Sequence, residues 1–180
     1  MSSTDGETPV RTGGGDTGRT SLGDGSRRFK DDTTFDALGA LDELQATLGV
    51  CRSLIDPASA DGRRIELHDE LLWLQERLIG WGGVVAGAAE PEVGVVGDIE
   101  RRFGTWRSRI HVEPRFYLSG QSQLGAELDR SRTIARRAER RLVSLARLSG
   151  REGEQTAARF LNVMSDLLFT LARWTDAEAG

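Results

Sequence analysis

The residues best suited to hold a polyphosphate chain lie in one glycine-rich stretch, GGGDTGRTSLGDGSRRFKDD, residues 13–32. Backbone N–H groups next to glycine can converge on phosphate oxygens, and Asp16, Thr20 and Ser21 have side chains that orient such a turn. Lys30 is the only lysine among 24 basic residues, and its ammonium is a compact charge where arginine is a planar fork. The stretch has neither common nucleotide fingerprint. Two interpretations stay open, a phosphate-binding loop and a disordered tail.

A second group of polar residues flanks an apolar stripe in the segment 123–148. At 100° per residue, Arg132, Arg136 and Glu139 share one flank of that stripe. Arg137 points away from the stripe, and we expect it to be solvated. The group could supply charge to a ligand, or it could form surface ion pairs that contribute only about 0.3–0.5 kcal/mol each.

Two more helical segments carry polar residues at near-helical spacing. The last one has a polar face made of Asn162, Asp166, Phe169 and Arg173. The first one places Asp42 on a strip of otherwise small residues, Gly39, Ala46 and Gly49. Small side chains let another helix or a flat ligand approach the backbone closely. Interhelical hydrogen bonds and close helix packing explain the same two patterns equally well.

The elements that must position these residues are helices. Apolar residues recur at three- and four-residue steps over about 35–51, 64–81, 123–148 and 154–177, and more weakly over 98–110. No segment alternates with a period of two, and the piece RFYLSGQS is expected to be extended. The fold class is therefore all-α, an antiparallel bundle of four or five helices. A Gly-rich N-terminal loop precedes the bundle, and residues 1–10 are expected to form a flexible arm.

The overall composition narrows the function further. The chain has 180 residues, a formal net charge of −4 and one cysteine. One domain, no internal disulfide and no general affinity for nucleic acid are expected. The N-terminus lacks a signal peptide pattern, and the longest uncharged apolar stretch, 78–89, is too short to cross a bilayer. His68 and His111 are isolated and predict no metal site. A soluble, cytoplasmic protein is expected.

Five stretches of the chain together resemble one family. They are TGGGDTGRTSL, GSRRFKDD, DALGALDELQA, SRTIARRAER and FLNVMSDLLFTLARW. In this order they are similar to motifs of the PduO-type ATP:cob(I)alamin adenosyltransferases, also called corrinoid adenosyltransferases. The resemblance extends over about residues 11–176. The last two stretches are long and specific, so chance is a poor explanation for it.

The resemblance implies a five-helix bundle, a four-helix core plus one, that assembles as a homotrimer with active sites between subunits. It implies transfer of the 5′-deoxyadenosyl group of ATP to cob(I)alamin, with release of triphosphate. MgATP and cobalamin would be the substrates, and Mg²⁺ would be carried by ATP and not by side chains. The partners implied are a flavin-dependent reductase and an adenosylcobalamin-dependent enzyme.

The same resemblance assigns residues to two sides of the site. The ATP side would consist of Thr12, Gly13, Gly14, Gly15, Asp16, Gly18, Thr20, Ser21, Lys30, Arg136, Arg137, Glu139, Arg140 and Asn162. The catalytic residues would be Asp42, Arg132, Arg136 and Phe116. Of these, Asp42 and Arg132 would form a polar pair near the corrin, Phe116 would face the lower side of cobalt, and Arg136 would help to neutralise the leaving triphosphate.

The chain departs from the family pattern at several positions: Gly13-Gly14, Leu38, Gln45, Ser119-Gly120-Gln121, Asp129 in place of histidine, and Val163. An active adenosyltransferase is one hypothesis. The alternative is a non-catalytic bundle that binds a corrinoid or a nucleotide and serves as a carrier, sensor or partner of another enzyme. The presence of Lys30, Arg136 and Asn162, which suit a leaving triphosphate, favours the enzyme.

Overall fold

The structure is a computed structural model that describes residues 13–58 and 60–178. Over these residues the chain forms a short hairpin followed by five helices, which confirms the all-α prediction. The elements are β1 (Arg19–Ser21), β2 (Arg27–Phe29), α1 (Thr33–Ser53), α2 (Gly62–Val85), α3 (Val95–Arg107), α4 (Gln123–Ser149) and α5 (Glu152–Glu178). Thr12 and the predicted arm, 1–10, lie outside the described residues.

Four helices close a ring around the core. α1 packs on α2 and on α4, and α5 packs on both α4 and α2. α3 lies outside this ring against α5, so the architecture is the predicted four-helix core plus one. The ring is filled by leucines of all four helices, and Trp81 of α2 meets Phe160 of α5 with their ring centroids 5.6 Å apart.

α1 and α2 begin earlier than the apolar pattern predicts, because their capping residues are polar and lie outside that pattern. Asp32 accepts a hydrogen bond from the Thr34 amide at 2.8 Å, and Asp61 accepts one from the Arg64 amide at 2.9 Å. These caps begin α1 and α2 two residues before the predicted starts. α2 also runs past Trp81 to Val85 despite its glycines, since burial of Val84 and Val85 outweighs the poor helix propensity of glycine.

The Gly-rich stretch folds onto the bundle as a hairpin. β1 and β2 pair antiparallel, with Arg19 opposite Phe29. The turn between the strands docks on the end of α2, where the Asp24 amide donates to the Ala86 carbonyl at 3.2 Å and Leu22 is buried. Strands of three residues are too short for a period of two to show in the sequence. The structure places this segment against α2 and does not leave it as a tail.

Among the described residues, no helix combines the length and the apolar character needed to span a bilayer.

Candidate active site

The first part of the site is a tight backbone loop between residues 13 and 18. The Asp16 amide donates to the Gly13 carbonyl at 3.2 Å, and the Gly18 amide donates to the Gly15 carbonyl at 3.3 Å. Gly13 and Gly18 have φ angles of 70° and 77°, which favour glycine. The Lys30 amide closes the loop by donating to the Gly18 carbonyl at 2.9 Å. The sequence therefore places consecutive peptide groups around a small exposed turn.

Lys30 reaches back over this loop. A Cβ atom at Gly15 would lie 3.1 Å from the Lys30 Nζ and 3.2 Å from its Cε. A larger residue at position 15 would therefore crowd the Lys30 ammonium. The structure brings together the only lysine of the chain and the backbone predicted to bind phosphate.

Arg27 and Arg19 support the loop from the hairpin. Arg27 Nη2 donates to the carbonyl of Gly14 at 2.8 Å, and Arg19 Nη2 donates to the carbonyl of Arg27 at 3.0 Å. The Arg19 guanidinium also lies 4.7 Å from the centroid of the Phe29 ring. Arg27 was matched in the GSRRFKDD motif, but its role in holding Gly14 was not predicted. The bond from Arg27 to the Gly14 carbonyl depends on the hairpin, and the sequence pattern did not predict the hairpin.

The second part of the site is the polar face shared by α4 and α5. Glu139 of α4 and Asn162 of α5 line one groove of about 400 Å³ between the two helices. Arg147 and Arg159 line the same groove, and neither was singled out in the sequence. Arg147 lies eight residues after Glu139 and Arg159 three residues before Asn162, both at helical spacing, so the sequence carried a signal for them. The groove joins two of the predicted ATP residues and adds two positive charges.

Arg136 and Arg140 are exposed on α4 beside this groove, and Arg140 Nη1 donates to the Arg136 carbonyl at 3.1 Å. Burial raises the pKa of the Asp166 carboxyl on α5, and the positive charge of Arg136 opposes that rise in part. Arg137 was expected to be solvated; its side chain is 43% exposed and also pairs with the exposed Glu43 of α1. Since α1 packs on α4, a side chain that points away from Leu128 still meets a neighbour.

The third part of the site is a groove of about 640 Å³ between α1 and α2. Asp42 is exposed at its edge, and most of the lining is apolar or small: Phe35, Leu38, Gly39, Leu41, Gln45, Leu78, Ile79 and Gly82. A Cβ at Gly39 or Gly82 would meet only open space, so these glycines widen the groove. The strip of small residues around Asp42 therefore borders a ligand-sized groove, in addition to any role in packing.

The predicted pair of Asp42 and Arg132 is not formed within one chain. Over the described ranges, Arg132 Nε donates instead to Asp129 Oδ1 at 3.0 Å, one helical turn earlier on α4. The i,i+3 spacing of Asp129 and Arg132 was visible in the sequence. Phe116 is essentially fully exposed, and nearby Leu118 is 87% exposed. This surface segment therefore carries two large, exposed apolar side chains.

In the described part of the chain, no three His, Cys, Asp or Glu side chains converge as a metal-binding group. Mg²⁺ carried by ATP stays a prediction.

Comparison with known proteins gives consistent results. Residues 10–175 match the family model described as cobalamin adenosyltransferase. The chain is 36% identical to a corrinoid adenosyltransferase PduO of Salmonella typhimurium, with 94% of this chain and 50% of that protein covered. It is 33% identical to a Bacillus subtilis corrinoid adenosyltransferase, with 92% of this chain and 86% of that protein covered. This chain thus spans about half the length of the Salmonella relative.

Solved structures agree with the sequence comparison. A variant of a PduO-type ATP:corrinoid adenosyltransferase from Lactobacillus reuteri, complexed with ATP, superposes with a TM-score of 0.80 at 29% identity, covering 94% of each chain. Another variant from that organism, complexed with cobalamin and ATP, gives 0.81 at 25% identity, covering 94% of this chain and 91% of the other. The fold is a five-helix bundle shared with these adenosyltransferase structures. The chain belongs to the cobalamin adenosyltransferase family.

Proposed function

We propose that this chain transfers the 5′-deoxyadenosyl group of ATP to cob(I)alamin, forming adenosylcobalamin and triphosphate. The observation that carries the proposal is the position of the Lys30 ammonium over Gly15. A lone lysine held over a turn of exposed peptide groups suits a polyphosphate. Gly15 and Lys30 each lie in a motif within the matched family span.

The ATP side has to bind a polyphosphate and stabilise it as it leaves. Lys30 and the amides of the 13–18 loop other than those of Asp16 and Gly18, which bond within the loop, would bind the phosphates. Arg136 and Arg140 would add positive charge from α4. Fixed donors and cations aimed at a leaving group lower the barrier electrostatically. Asn162 and Glu139 line a shared groove and have the hydrogen-bonding capacity to orient the nucleoside. The remaining loop residues predicted to bind ATP, including Thr20 and Ser21, stay proposals.

The corrin side has to hold cobalt in line with C5′ of ATP. The groove beside Asp42 has a volume of about 640 Å³ and a mostly apolar lining, which suits the apolar faces of a corrin. Phe116, exposed in the single chain, would cover the lower face of cobalt and exclude an axial ligand there. A four-coordinate cobalt(II) centre is easier to reduce than one that keeps that ligand, so Phe116 would assist reduction to cob(I)alamin. Arg132 would provide a polar contact to the corrin beside Phe116.

The reaction itself is a substitution at carbon. The cobalt of cob(I)alamin supplies an electron pair to C5′, a Co–C bond forms, and the C5′–O bond breaks with its electrons leaving on triphosphate. Cob(I)alamin is already a strong nucleophile, so the protein need not provide one. Its main contribution would be orientation, since holding two reactants in line can supply several kcal/mol of the barrier.

We further propose a homotrimer with sites between subunits. The proposal is supported by the exposed Phe116 and Leu118, and by the position of Asp42 at the edge of a groove where its expected partner Arg132 pairs elsewhere in the same chain. A cytoplasmic location fits the use of ATP and the single cysteine. The cob(II)alamin substrate requires an electron donor, for which a flavin-dependent reductase is the proposed partner. An adenosylcobalamin-dependent enzyme would use the product.

The proposal is tested by an anaerobic assay with MgATP, cob(II)alamin and a strong reductant, following the visible spectrum. Adenosylcobalamin formed at a rate proportional to protein concentration is the expected result. If no product forms while the cob(II)alamin spectrum still changes on adding protein, the transferase is refuted in favour of the non-catalytic corrinoid-binding bundle.

A further inference from the structure

A network of buried charges lies where the N-terminal half of α4 meets the C-terminal part of α5. Arg173 of α5, which is only 5% exposed, donates through Nη2 to Asp129 Oδ2 at 2.6 Å and to Asp176 Oδ2 at 3.0 Å. The other oxygen of Asp129 accepts from Arg132 Nε at 3.0 Å. Asp129 is 3% exposed, so one buried carboxylate holds a buried arginine with one oxygen and a partly exposed arginine with the other.

The same network fixes the surface segment that carries Phe116. The Arg173 guanidinium lies 5.1 Å from the ring centroid of Tyr117 and 5.4 Å from that of Phe169. The Ser122 hydroxyl, at the end of the segment, donates to Asp176 Oδ1 at 2.8 Å. These contacts tie residues 117 and 122 to α5, on either side of the turn at Gly120.

Ser119, on the same segment, also favours the charged form of Asp129. Burial alone would raise the pKa of the Asp129 carboxyl, but hydrogen bonds from Ser119, Arg132 and Arg173 outweigh it and hold the pKa below its usual value. Asp129 is therefore ionised at neutral pH and is matched by two guanidinium groups. Ser119 and Asp129 both depart from the family pattern, and Ser119 lowers the pKa of the Asp129 carboxyl.

We propose that Asp129 is a positioning residue for the adenosyl transfer: it sets Arg132 and, through Ser119 and Arg173, the segment that bears Phe116. The inference rests on the proposed function, in which Arg132 and Phe116 contact the corrin. Among the described residues, Arg132 uses only its Nε to bind Asp129. Its two Nη groups stay free to bind another molecule. The Arg132 side chain is 29% exposed. Its guanidinium can therefore contact a ligand while the bond from Nε to Asp129 holds it in place.

The test compares two variants with matched controls. Asp129→Asn keeps the shape of the side chain but removes its charge. Glu127→Gln makes the same change in a half-buried glutamate that forms an i,i+3 pair with the exposed Arg130 on the same helix. Ser119→Ala removes only the hydroxyl on the surface segment, and Ser108→Ala does so at an unrelated exposed site. For each protein we would measure the melting temperature, kcat, the KM for ATP and for cob(I)alamin, and the spectrum of cob(II)alamin bound with MgATP.

Asp129→Asn is expected to lower kcat by about tenfold or more, because misplacement of a positioned group by about 1 Å can cost up to about 100-fold. Its KM for ATP should stay within about twofold of wild type, since Asp129 lies on the corrin side, away from the Lys30 loop. Ser119→Ala should lower kcat by about threefold or more, as expected for the loss of one hydrogen bond. Its melting temperature should not change, and its bound cob(II)alamin spectrum should shift toward that of the free molecule. Both control variants should behave as wild type.

Wild-type kcat and spectrum in Ser119→Ala would overturn the inference, as would a folded Asp129→Asn protein that is less stable but fully active. If Asp129→Asn fails to fold, Ser119→Ala decides alone, because that residue is exposed and carries no buried charge. A wild-type protein that forms no adenosylcobalamin refutes the proposed function and this inference with it. An active wild type with an unaffected Ser119→Ala variant refutes this inference only.

Discussion

Replacing Lys30 with alanine should impair the use of ATP and leave the stability of the bundle nearly unchanged. The Lys30 side chain is exposed on the hairpin, and its ammonium lies over the backbone of Gly15. The substitution removes a charge from the loop but leaves intact the bond from the Lys30 amide to the Gly18 carbonyl, because that bond uses the backbone. The loop should keep its conformation and lose only the cation.

The expected effects differ in size. A surface substitution of this kind changes the free energy of unfolding by no more than about 0.5 kcal/mol, which shifts the melting temperature of a domain this size by about 1–2 °C. A hydrogen bond from a charged donor to phosphate contributes about 1.5–3 kcal/mol. Its loss should lower kcat/KM for ATP by about 10- to 150-fold. Lys30→Arg should recover part of this, because the charge returns but the larger guanidinium is cramped against Gly15.

The assay is the anaerobic formation of adenosylcobalamin at varied MgATP, with the melting temperature measured on the same samples. Arg28→Ala is the matched control: it removes a positive charge two residues away, on a side chain that bonds Thr34 and Asp32 and not the loop. The control should keep kcat/KM for ATP near that of wild type. Unchanged kinetics in Lys30→Ala, or an equal loss in Arg28→Ala, would refute the role of Lys30 in binding phosphate.

Three further predictions follow from other residues. Asp42→Asn should lower kcat for adenosylation more than it weakens ATP binding, with an unchanged melting temperature because Asp42 is exposed; a loss of ATP affinity alone, measured by calorimetry, would contradict its corrin-side position. Burial raises the pKa of the Cys51 thiol to about 11, so at pH 8 only about one thiol in 1000 is ionised; a disulfide reagent should modify Cys51 only after unfolding, and rapid labelling of the folded protein would argue against the packing of α1 on α4. The pKa of Asp129 is held below the ordinary value of 3.8, so the stability that this residue contributes is present above that pH and is lost as the pH falls through its folded-state pKa. In urea unfolding between pH 6 and 3, the free energy of unfolding should fall more steeply for wild type than for Asp129→Asn. Parallel curves would exclude this contribution.

Much of the fold could be predicted because the leucines of α4 and α5 follow helical spacing without interruption. The start of α1 was placed late because Asp32 acts through its hydrogen bond to Thr34 and not through hydrophobicity. The hairpin was missed for a related reason: its three-residue strands are stabilised by pairing and by docking on α2, which no local pattern records.

The candidate site was predictable only where its residues share one element. Glu139 could be placed on the polar flank of α4 from spacing alone, and Asn162 on α5, but their common groove depends on how the two helices meet. The pairing of Arg137 with Glu43 was missed because it depends on the relative rotation of α1 and α4. The contact between Asp129 and Arg173 is of the same kind, since the two residues are 44 positions apart.

An adenosyltransferase must form a bond between cobalt and C5′ of ATP. A single turnover with ATP labelled with carbon-13 at C5′ and with reduced cobalamin, followed by carbon-13 NMR and phosphorus-31 NMR, tests this claim most directly. We expect the label to move to a carbon bound to cobalt, with one triphosphate released for each adenosylcobalamin formed. Label that stays on ATP, or a product pattern of ADP and phosphate, would show that the chain does not transfer the adenosyl group to cobalt.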